Sequence, residues 1–360
     1  QSFFAIYIFP FAAWQATISD GFVSKNIRMY QSMKKFRKVM AAVLVMGMLL
    51  TTSCGQTKER FMFGTGGTAG TYYSYGGVLS QYMKNYAGIK VTAVSTGASK
   101  VNLQSIQDGD FQLGFTQSDV MTYAWEGSRS FEADGGTRDF RVLGSLYPET
   151  VQLMTMDDSI RSVDDLRGKR VSIGAGGSGV FFNASDVLDA AGISMDDIKP
   201  QYQSFEDSKE ALKDGKIDAA FIVAAAPTTA ITELATTNGM HLINIDGKLC
   251  DTLIEKCPYY SVQVIPENTY PGQTEEVRTV AVKATIVVAK TLSDEDVYKL
   301  TAAIFDHKED IAAENAQGNK LNLKTATSIQ TVPYHAGAAR YYKEHGIDVV
   351  TDRDFDLEED

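Results

Sequence analysis

The sequence predicts an α/β protein with two lobes, each built on a mostly parallel sheet that is covered by helices. Strand-like and helix-like stretches alternate from residue 61 onward, and this alternation restarts near residue 162. The chain has 360 residues, which is enough for about two domains. No low-complexity linker separates the two series. We therefore expect the second series to form a lobe that is inserted into the first.

The first series predicts three strands that alternate with three helices. The strands are "FMFGT", "IKVTAVST" and "FQLGFTQ". The helices are "GTYYSYGGVLSQYMKNYAG", which ends at Gly88, "SKVNLQSIQDG", which ends at Gly109, and "SDVMTYAWEG". The following stretch, "RVLGSLYPETVQLMTM", is interpreted as two strands in sequence.

The second series repeats this order. "SVDDLRGKRVSIGAGGSGVFFNASDVLDAAG" predicts a helical turn, a strand, a glycine loop and a helix, and "ALKDGKIDAAFIVAAAPTTAITELATTNG" predicts helix, strand, loop and helix. "MHLINI", "YSVQVIP" and the long "VRTVAVKATIVVAK" predict further strands, and "SDEDVYKLTAAIFDHKEDIAAE" predicts an amphipathic helix. Strands near 147–155 and 279–290 would cross between the lobes. The first lobe is thus expected over 61–150 and 279–355, and the second lobe over 151–278.

The N-terminal region has the features of a bacterial lipoprotein signal peptide over residues 33–53. Basic residues come first, an uncharged apolar run over residues 39–50 follows, and "TTSC" ends the segment. That run is too short to cross a hydrocarbon core of about 30 Å. We predict lipidation at Cys54 and a tether over residues 54–60, with a plain secretory signal as the alternative. Residues 1–32 are interpreted as a non-native upstream extension, and two tandem membrane segments are the alternative.

Composition and charge argue against several classes of partner. Apolar residues make up 44% and charged residues 22% of the chain, as in ordinary soluble proteins. Its 34 basic and 45 acidic residues give a net charge of −11, which does not favour nucleic acid. The 4 histidines and 3 cysteines show no metal-ligand spacing. We expect neither a metal nor a cofactor.

Four strands end in a Gly-, Ser- or Thr-rich turn that opens a helix, namely "GTGGTAGTYY", "STGASK", "TQSD" and "GAGGSGV". Such turns gather at the carboxyl ends of the strands, where open α/β sheets bind ligands. Each helix N-terminus offers unpaired N–H groups and about half a positive charge. Several together can bind a small anion without arginine. Hydroxyl donors and aromatic walls would come from Thr68, Thr71, Thr96, Ser99, Ser178, Tyr72, Tyr73 and Tyr75.

Two chemical alternatives are weaker. "GTGGTA" satisfies a dinucleotide-binding pattern, but the next strand ends in "VSTGAS", which lacks the acidic residue that would bind ribose. "GGSGV" carries Ser178 in a shape related to a nucleophile elbow, but no His–Asp pair is evident. We therefore expect binding without catalysis.

Six residues separate Cys250 from Cys257 in "CDTLIEKC". An exported protein lies where disulfides persist. We favour a disulfide between them, and two free thiols are the alternative.

The chain resembles the TAXI class of solute receptors, the extracytoplasmic binding subunits of TRAP transporters. The matching stretches include "GTGGTAGTYYSYGG", "VSTGASKVNL", "GFTQSDV", "LGSLYPETVQL", "SVDDLRGKRVSIGAGGSG" and "VPYHAGAARYYKEHGI", which run from residue 61 to about 347. The resemblance implies a periplasmic binding protein-like fold of type II, with a ligand cleft between two α/β lobes. It implies ligand-binding roles for Thr65, Gly66, Gly67, Thr68, Thr71, Tyr72, Tyr73, Thr96, Gly97, Ser99, Gln117, Ser118, Gly177, Ser178, Gly179, Ala226 and Pro227.

The resemblance also implies the function. The protein would be an exported, membrane-anchored and monomeric receptor, facing the periplasm or the cell exterior. It would bind a glutamate- or glutamine-like solute or a dicarboxylate, and deliver it unchanged to the integral membrane subunits of a TRAP permease. A receptor that presents its ligand-bound form to a signalling kinase is the alternative.

Overall fold

The computed structural model describes residues 60–133, 135–237 and 239–355. Their ten strands form one sheet. The strands are β1 Arg60–Gly64, β2 Lys90–Val94, β3 Leu113–Gln117, β4 Phe140–Thr155, β5 Arg170–Ser172, β6 Lys199–Gln201, β7 Ala219–Ala224, β8 His241–Ile243, β9 Ser261–Ile265 and β10 Val277–Ala289.

The α-helices of the same residues alternate with these strands. They are α1 Thr71–Tyr82, α2 Ser99–Gln107, α3 Ser118–Glu126, α4 Gly179–Ala190, α5 Phe205–Lys213, α6 Thr229–Ala235, α7 Gly247–Lys256, α8 Asp294–Phe305, α9 Lys308–Glu314, α10 Leu323–Ala326, α11 Ala336–Glu344 and α12 Asp352–Phe355. Within the described ranges no helix combines the length and apolar character needed to cross a membrane.

The first three strands are parallel, in the order β2-β1-β3, and β10 pairs antiparallel with β3. Asn102 on α2 ties their carboxyl ends together. Its amide nitrogen donates to the carbonyl oxygens of Thr65 at 2.7 Å and of Phe115 at 2.8 Å. This buried side chain thus holds the turn after β1 and the strand β3 in fixed positions relative to α2.

The prediction of two strands in "RVLGSLYPETVQLMTM" is wrong, because β4 is a single strand of 16 residues. It pairs antiparallel with β10 from Phe140 to Thr150, through Pro148, and then with β7 from Thr150 to Thr155. A strand that leaves one part of the sheet and enters another needs this length. Pro148 still pairs with β10, and the strand takes up β7 as a neighbour at Thr150.

The second series of strands repeats the winding of the first. β6, β5 and β7 are parallel in the order β6-β5-β7, and the antiparallel strand beside β7 is β4. The positions of β2, β1, β3 and β10 therefore recur as β6, β5, β7 and β4. The α/β fold of type II periplasmic binding proteins, which the resemblance implied, is confirmed.

The apolar core supports a division into two lobes. On β4, side chains up to Tyr147 belong to one cluster and those from Val151 onward to two others. On β10 the change falls between Val282 and Ala284. We propose a first lobe up to residue 150 that resumes at 283, a few residues after the expected 279. The signal peptide, Cys54 and nearly all of the tether lie outside the described residues.

The favoured disulfide is not formed, because Cys250 and Cys257 are both free thiols. Cys250 lies inside α7, and Cys257 follows the last residue of that helix. Seven positions along a helix correspond to a rise of about 10 Å, whereas the Cα atoms of a disulfide lie about 4–7 Å apart. The helix therefore keeps the two sulfur atoms apart.

Candidate functional site

A cavity lies between the two lobes and holds about 590 Å³ of space that protein atoms do not fill, part of it open to solvent. The residues that line it are Gly66, Gly67, Gly70, Thr71, Tyr72, Thr96, Gly97, Ala98, Ser99, Gln117, Glu149, Ala175, Ser178, Gly179, Val180, Ser204, Phe205, Val223 and Ala224.

Three helices begin at this cavity with an N-terminus that no side chain caps. They are α1, α2 and α4, whose N-cap residues are Gly70, Ala98 and Ser178. None of the three has an acidic residue in its first turn. Because their orphan N–H groups and partial positive charges lack an acidic neighbour on the same helix, they remain suited to an anion.

Two further helices begin at the cavity but are already compensated. The α3 helix carries Asp119 in its first turn. At α5, the Ser204 hydroxyl accepts a hydrogen bond from the Asp207 nitrogen at 3.1 Å. The site for negative charge therefore lies at α1 and α2 of the first lobe and α4 of the second.

Most of the expected binding residues line the cavity. They are Gly66, Gly67, Thr71, Tyr72, Thr96, Gly97, Ser99, Gln117, Ser178 and Gly179. Two of their hydroxyl groups are engaged within the protein. The Thr96 hydroxyl donates to Asn102 Oδ1 at 2.7 Å, and the Ser99 hydroxyl accepts from the Gln117 nitrogen at 3.2 Å. These two side chains hold the turns in place.

Other expected residues of the first lobe lie outside the cavity lining. The Thr65 hydroxyl donates to the Val94 carbonyl at 2.6 Å and so joins β1 to β2. Thr68 is exposed in its turn, and Tyr73 lies on the outer face of α1. The Ser118 hydroxyl accepts from the Lys283 nitrogen at 3.1 Å. Tyr75, named as a possible wall, is fully buried in the core.

In the second lobe, Gly177, Ala226 and Pro227 are not part of the lining. The Gly177 carbonyl accepts a hydrogen bond from the Lys100 nitrogen of the first lobe at 3.1 Å. Pro227 is exposed and follows a cis peptide bond after Ala226. The cavity instead reaches Val223 and Ala224, at the end of β7.

Tyr72 forms an aromatic wall. Its ring stacks on Phe115 with the ring centres 4.5 Å apart. Its buried hydroxyl has no hydrogen-bond partner. Burial raises the pKa of Tyr72 well above its ordinary value, and Glu149 and Asp119 add to the effect. The phenol therefore stays protonated and can donate to a ligand.

Glu149 is the residue that the sequence prediction missed. It lies on β4, is only 2% exposed and lines the cavity, and its Oε1 atom has no hydrogen-bond partner. Burial raises the pKa of Glu149 to about 8, with Tyr147 opposing the rise and Asp119 adding to it. A signal was present in the sequence, since Glu149 is an acid within the apolar stretch "LYPETVQL".

Two other polar side chains of the lining lack partners. The Oε1 atom of Gln117 and the hydroxyl of Ser178 are both buried and form no hydrogen bond. Together with Glu149 they leave the cavity with unused acceptors as well as the donors of the helix N-termini. A ligand that carries both donors and acceptors would satisfy this set.

Side chains of the two lobes also meet beside the cavity. The Asn183 amide nitrogen on α4 donates to Asp119 Oδ2 on α3 at 3.0 Å. Asn183 also donates to the Tyr260 hydroxyl at 2.8 Å. Phe182 of α4 packs against Tyr123 of α3, with the ring centres 5.6 Å apart. The structure therefore represents a form in which the lobes touch across the cleft.

Asp119 is fully buried at this contact, and its Oδ1 atom has no hydrogen-bond partner. Burial raises its pKa to about 7, and nearby Asp186 adds to the rise, whereas Asn183 opposes it. No group of three or more metal-binding side chains that could hold an ion occurs within the described ranges.

Several solved structures of binding proteins are similar to this chain at low sequence identity. The alkanesulfonate-binding protein SsuA from Xanthomonas axonopodis pv. citri, bound to MOPS, is 19% identical, with a TM-score of 0.46, over 79% of this chain and 83% of that one. The periplasmic aliphatic sulphonate binding protein SsuA from Escherichia coli is 18% identical, with a TM-score of 0.42, over 82% and 95%. The GluR0 ligand-binding core from Nostoc punctiforme, in complex with L-glutamate, is 16% identical, with a TM-score of 0.43, over 72% and 99%.

The family relationship is shown by the sequence itself. Residues 63–346, which include every element that lines the cavity, match the NMT1-like family. The chain belongs to the NMT1-like family.

Proposed function

We propose that this chain is an extracytoplasmic solute receptor of the TAXI class. It binds a small carboxylate and delivers it chemically unchanged to the membrane permease of a TRAP transporter. The observation that carries the proposal is the meeting of α1, α2 and α4 at one cavity, each with an uncapped N-terminus and no acid in its first turn. Such termini bind carboxylates and phosphates through backbone N–H groups.

The composition of the cavity supports binding through the backbone. None of its lining residues is Lys, Arg or His, so the positive potential comes from peptide dipoles. Glycines at 66, 67, 70, 97 and 179 allow a ligand to approach the main chain closely. Tyr72 supplies a flat wall and a phenolic donor.

Capture would involve closure of the cleft. The two long strands β4 and β10 run between the lobes and are the natural hinge for such a motion. Contacts such as that between Asn183 and Asp119 exist only while the lobes touch. A ligand that contacts both lobes binds more tightly to the closed form, and this difference alone shifts the equilibrium toward closure.

The side chains near the ligand position give no support to catalysis. The Ser178 hydroxyl has no hydrogen-bonded base. His241 contacts the carbonyl oxygen of Ile160 at 3.0 Å, and His335 contacts that of Leu292 at 3.1 Å. Neither histidine lines the cavity. Release of the bound solute unchanged is therefore part of the proposal, as is anchoring through a lipid on Cys54.

Native mass spectrometry of the protein purified from cells, followed by thermal-shift titration with small carboxylates, tests the proposal. For a true ligand, the stabilisation grows as RT ln(1 + [L]/Kd), which is about 2.7 kcal/mol at 100-fold excess over Kd. We expect a copurified carboxylate of unchanged mass after long incubation. A shift with nucleotides but with no carboxylate, or recovery of a converted ligand, would contradict the proposal.

A further inference from the structure

Glu149 is the only charged residue among those that line the cavity. Its carboxylate is 2% exposed, and one of its oxygens has no partner. Among the described residues, Asp119, Tyr147 and Tyr72 act on the Glu149 carboxyl group or lie beside it, and none of the three is a cation. Burying an ionised carboxylate without a cation or a full set of hydrogen-bond donors is costly. A cationic group on the ligand would reduce this cost, because no residue of the lining supplies one.

A dicarboxylate would be a poor ligand for a cavity that contains Glu149. When Glu149 is ionised, its charge and the second carboxylate of the ligand would share this cavity, and the lining holds no arginine or lysine to separate them. A ligand with one carboxylate and one ammonium group fits both halves of the site. Its carboxylate meets the N-termini of α1, α2 and α4, and its ammonium meets the unused oxygen of Glu149.

We propose that Glu149 is the specificity-determining residue of this cavity and that it binds the ammonium group of a zwitterionic ligand. The inference rests on the proposed function, because it takes a small carboxylate to be the occupant of the cavity. Gln117 and Ser178 provide additional acceptors in the same lining for the other N–H groups of the ligand.

Matched pairs of ligands test the inference on the unaltered protein. Each pair shares a carbon skeleton and differs only in the amino group: L-glutamate with glutarate, L-aspartate with succinate, and L-alanine with propanoate. Isothermal titration is expected to give an affinity at least tenfold higher for the amino member of the pair that binds best. A charged hydrogen bond of ordinary strength gives a ratio of roughly 10- to 100-fold.

The Glu149→Gln variant removes the charge and keeps the shape. It should lose at least tenfold in affinity for the amino acid while retaining its weak affinity for the des-amino partner. Glu267→Gln is the matched control, because Glu267 is exposed on the second lobe and does not line the cavity. Without ligand, Glu149→Gln should unfold at a temperature no lower than the parent does, since it removes a buried carboxylate that lacks a cation.

The outcomes separate this inference from the proposed function. Equal or tighter binding of the des-amino member in every pair that binds, or an unchanged preference in Glu149→Gln, overturns the role of Glu149 but leaves a carboxylate receptor. Binding of n-butylamine with no binding of any carboxylate keeps the ammonium subsite and overturns the proposed function. No binding by any member of the panel overturns both.

Discussion

Arg129 of the first lobe and Asp186 of the second form an ion pair across the cleft, with Arg129 Nη2 2.6 Å from Asp186 Oδ1. The other oxygen of Asp186 accepts a hydrogen bond from the Tyr260 hydroxyl at 3.1 Å. The Asp186 side chain is 3% exposed, whereas that of Arg129 is 42% exposed. The pair therefore joins a buried acid to a partly solvated base at the place where the lobes meet.

This ion pair should favour the closed form without touching the ligand. We expect Arg129→Met to lower ligand affinity roughly tenfold, because losing a charged partner of a buried acid costs about 1.5–3 kcal/mol, discounted for solvent. Isothermal titration measures the affinity, and small-angle scattering measures the fraction of closed protein. Arg161→Met is the control, since Arg161 pairs with the exposed Asp158. Unchanged affinity and scattering in Arg129→Met would show that the pair does not contribute to closure.

Gly179 of the second lobe lies against the Gln117 side chain of the first, and a methyl group on Gly179 would overlap that amide. We expect Gly179→Ala to displace Gln117 into the cavity and to weaken ligand binding by about tenfold or more, at ~1.4 kcal/mol per factor of ten. Gly77→Ala is a matched control, because a methyl group there meets no other atom within 4 Å. Equal affinities in the two variants would contradict the closeness of the lobes at this point.

The stability of the ligand-free protein should decrease with rising pH because of Glu149. Because burial raises its pKa to about 8, well above the model-peptide value of about 4.3, the folded state penalises its charged form. The stabilising contribution of Glu149 to the free energy of unfolding is fully present below about pH 4. It falls as the pH rises to about 8 and is constant above that. Asp119, whose pKa is raised to about 7, acts in the same direction. The unfolding temperature of Glu149→Gln should change less with pH across this range than that of the parent protein. Parallel plots of unfolding temperature against pH would contradict the raised pKa of Glu149.

Ligand binding should show the matching proton exchange. At pH 7 Glu149 is mostly protonated in the empty closed site, so an ammonium group that pairs with its carboxylate must displace the proton. Affinity for an amino acid should therefore rise between about pH 6 and 8, with release of up to about one proton. Titration calorimetry in phosphate and in Tris buffers counts the protons that are released on binding. Asp119, Tyr147 and Tyr72 are the titratable groups that act on or beside Glu149. The Asp119→Asn variant shows how many of the released protons come from Asp119. Proton uptake on binding an amino acid would contradict the ammonium subsite.

The thiol of Cys250 in α7 and that of Cys257, just after this helix, should both be free in the folded protein. Alkylation of the denatured protein without reductant should modify both Cys250 and Cys257, and mass spectrometry of the peptide that carries them counts the added groups. Burial raises the pKa of Cys257 to about 11, so alkylation of the native protein should be slow. If the peptide is alkylated only after reduction, Cys250 and Cys257 form a disulfide and the prediction is wrong.

The sequence alone was sufficient for the α/β architecture and for most of the turns at the cavity. Gly66, Gly67, Thr71, Ser99 and Ser178 could be predicted because glycine- and hydroxyl-rich turns between a strand and a helix are local patterns. Such patterns depend only on residues that are neighbours along the chain, so they can be recognised before the tertiary structure is known.

The tertiary structure decided which side chains of these turns face the cavity and what charge they meet there. Thr65 and Tyr73 belong to the same turn and helix as Thr71 and Tyr72, yet one joins two strands and the other faces solvent. Glu149 enters the cavity only because β4 continues unbroken from one lobe to the other. The burial of Glu149 and the lack of a cation among the described residues that line the cavity depend on residues distant in sequence, so no local pattern contains them.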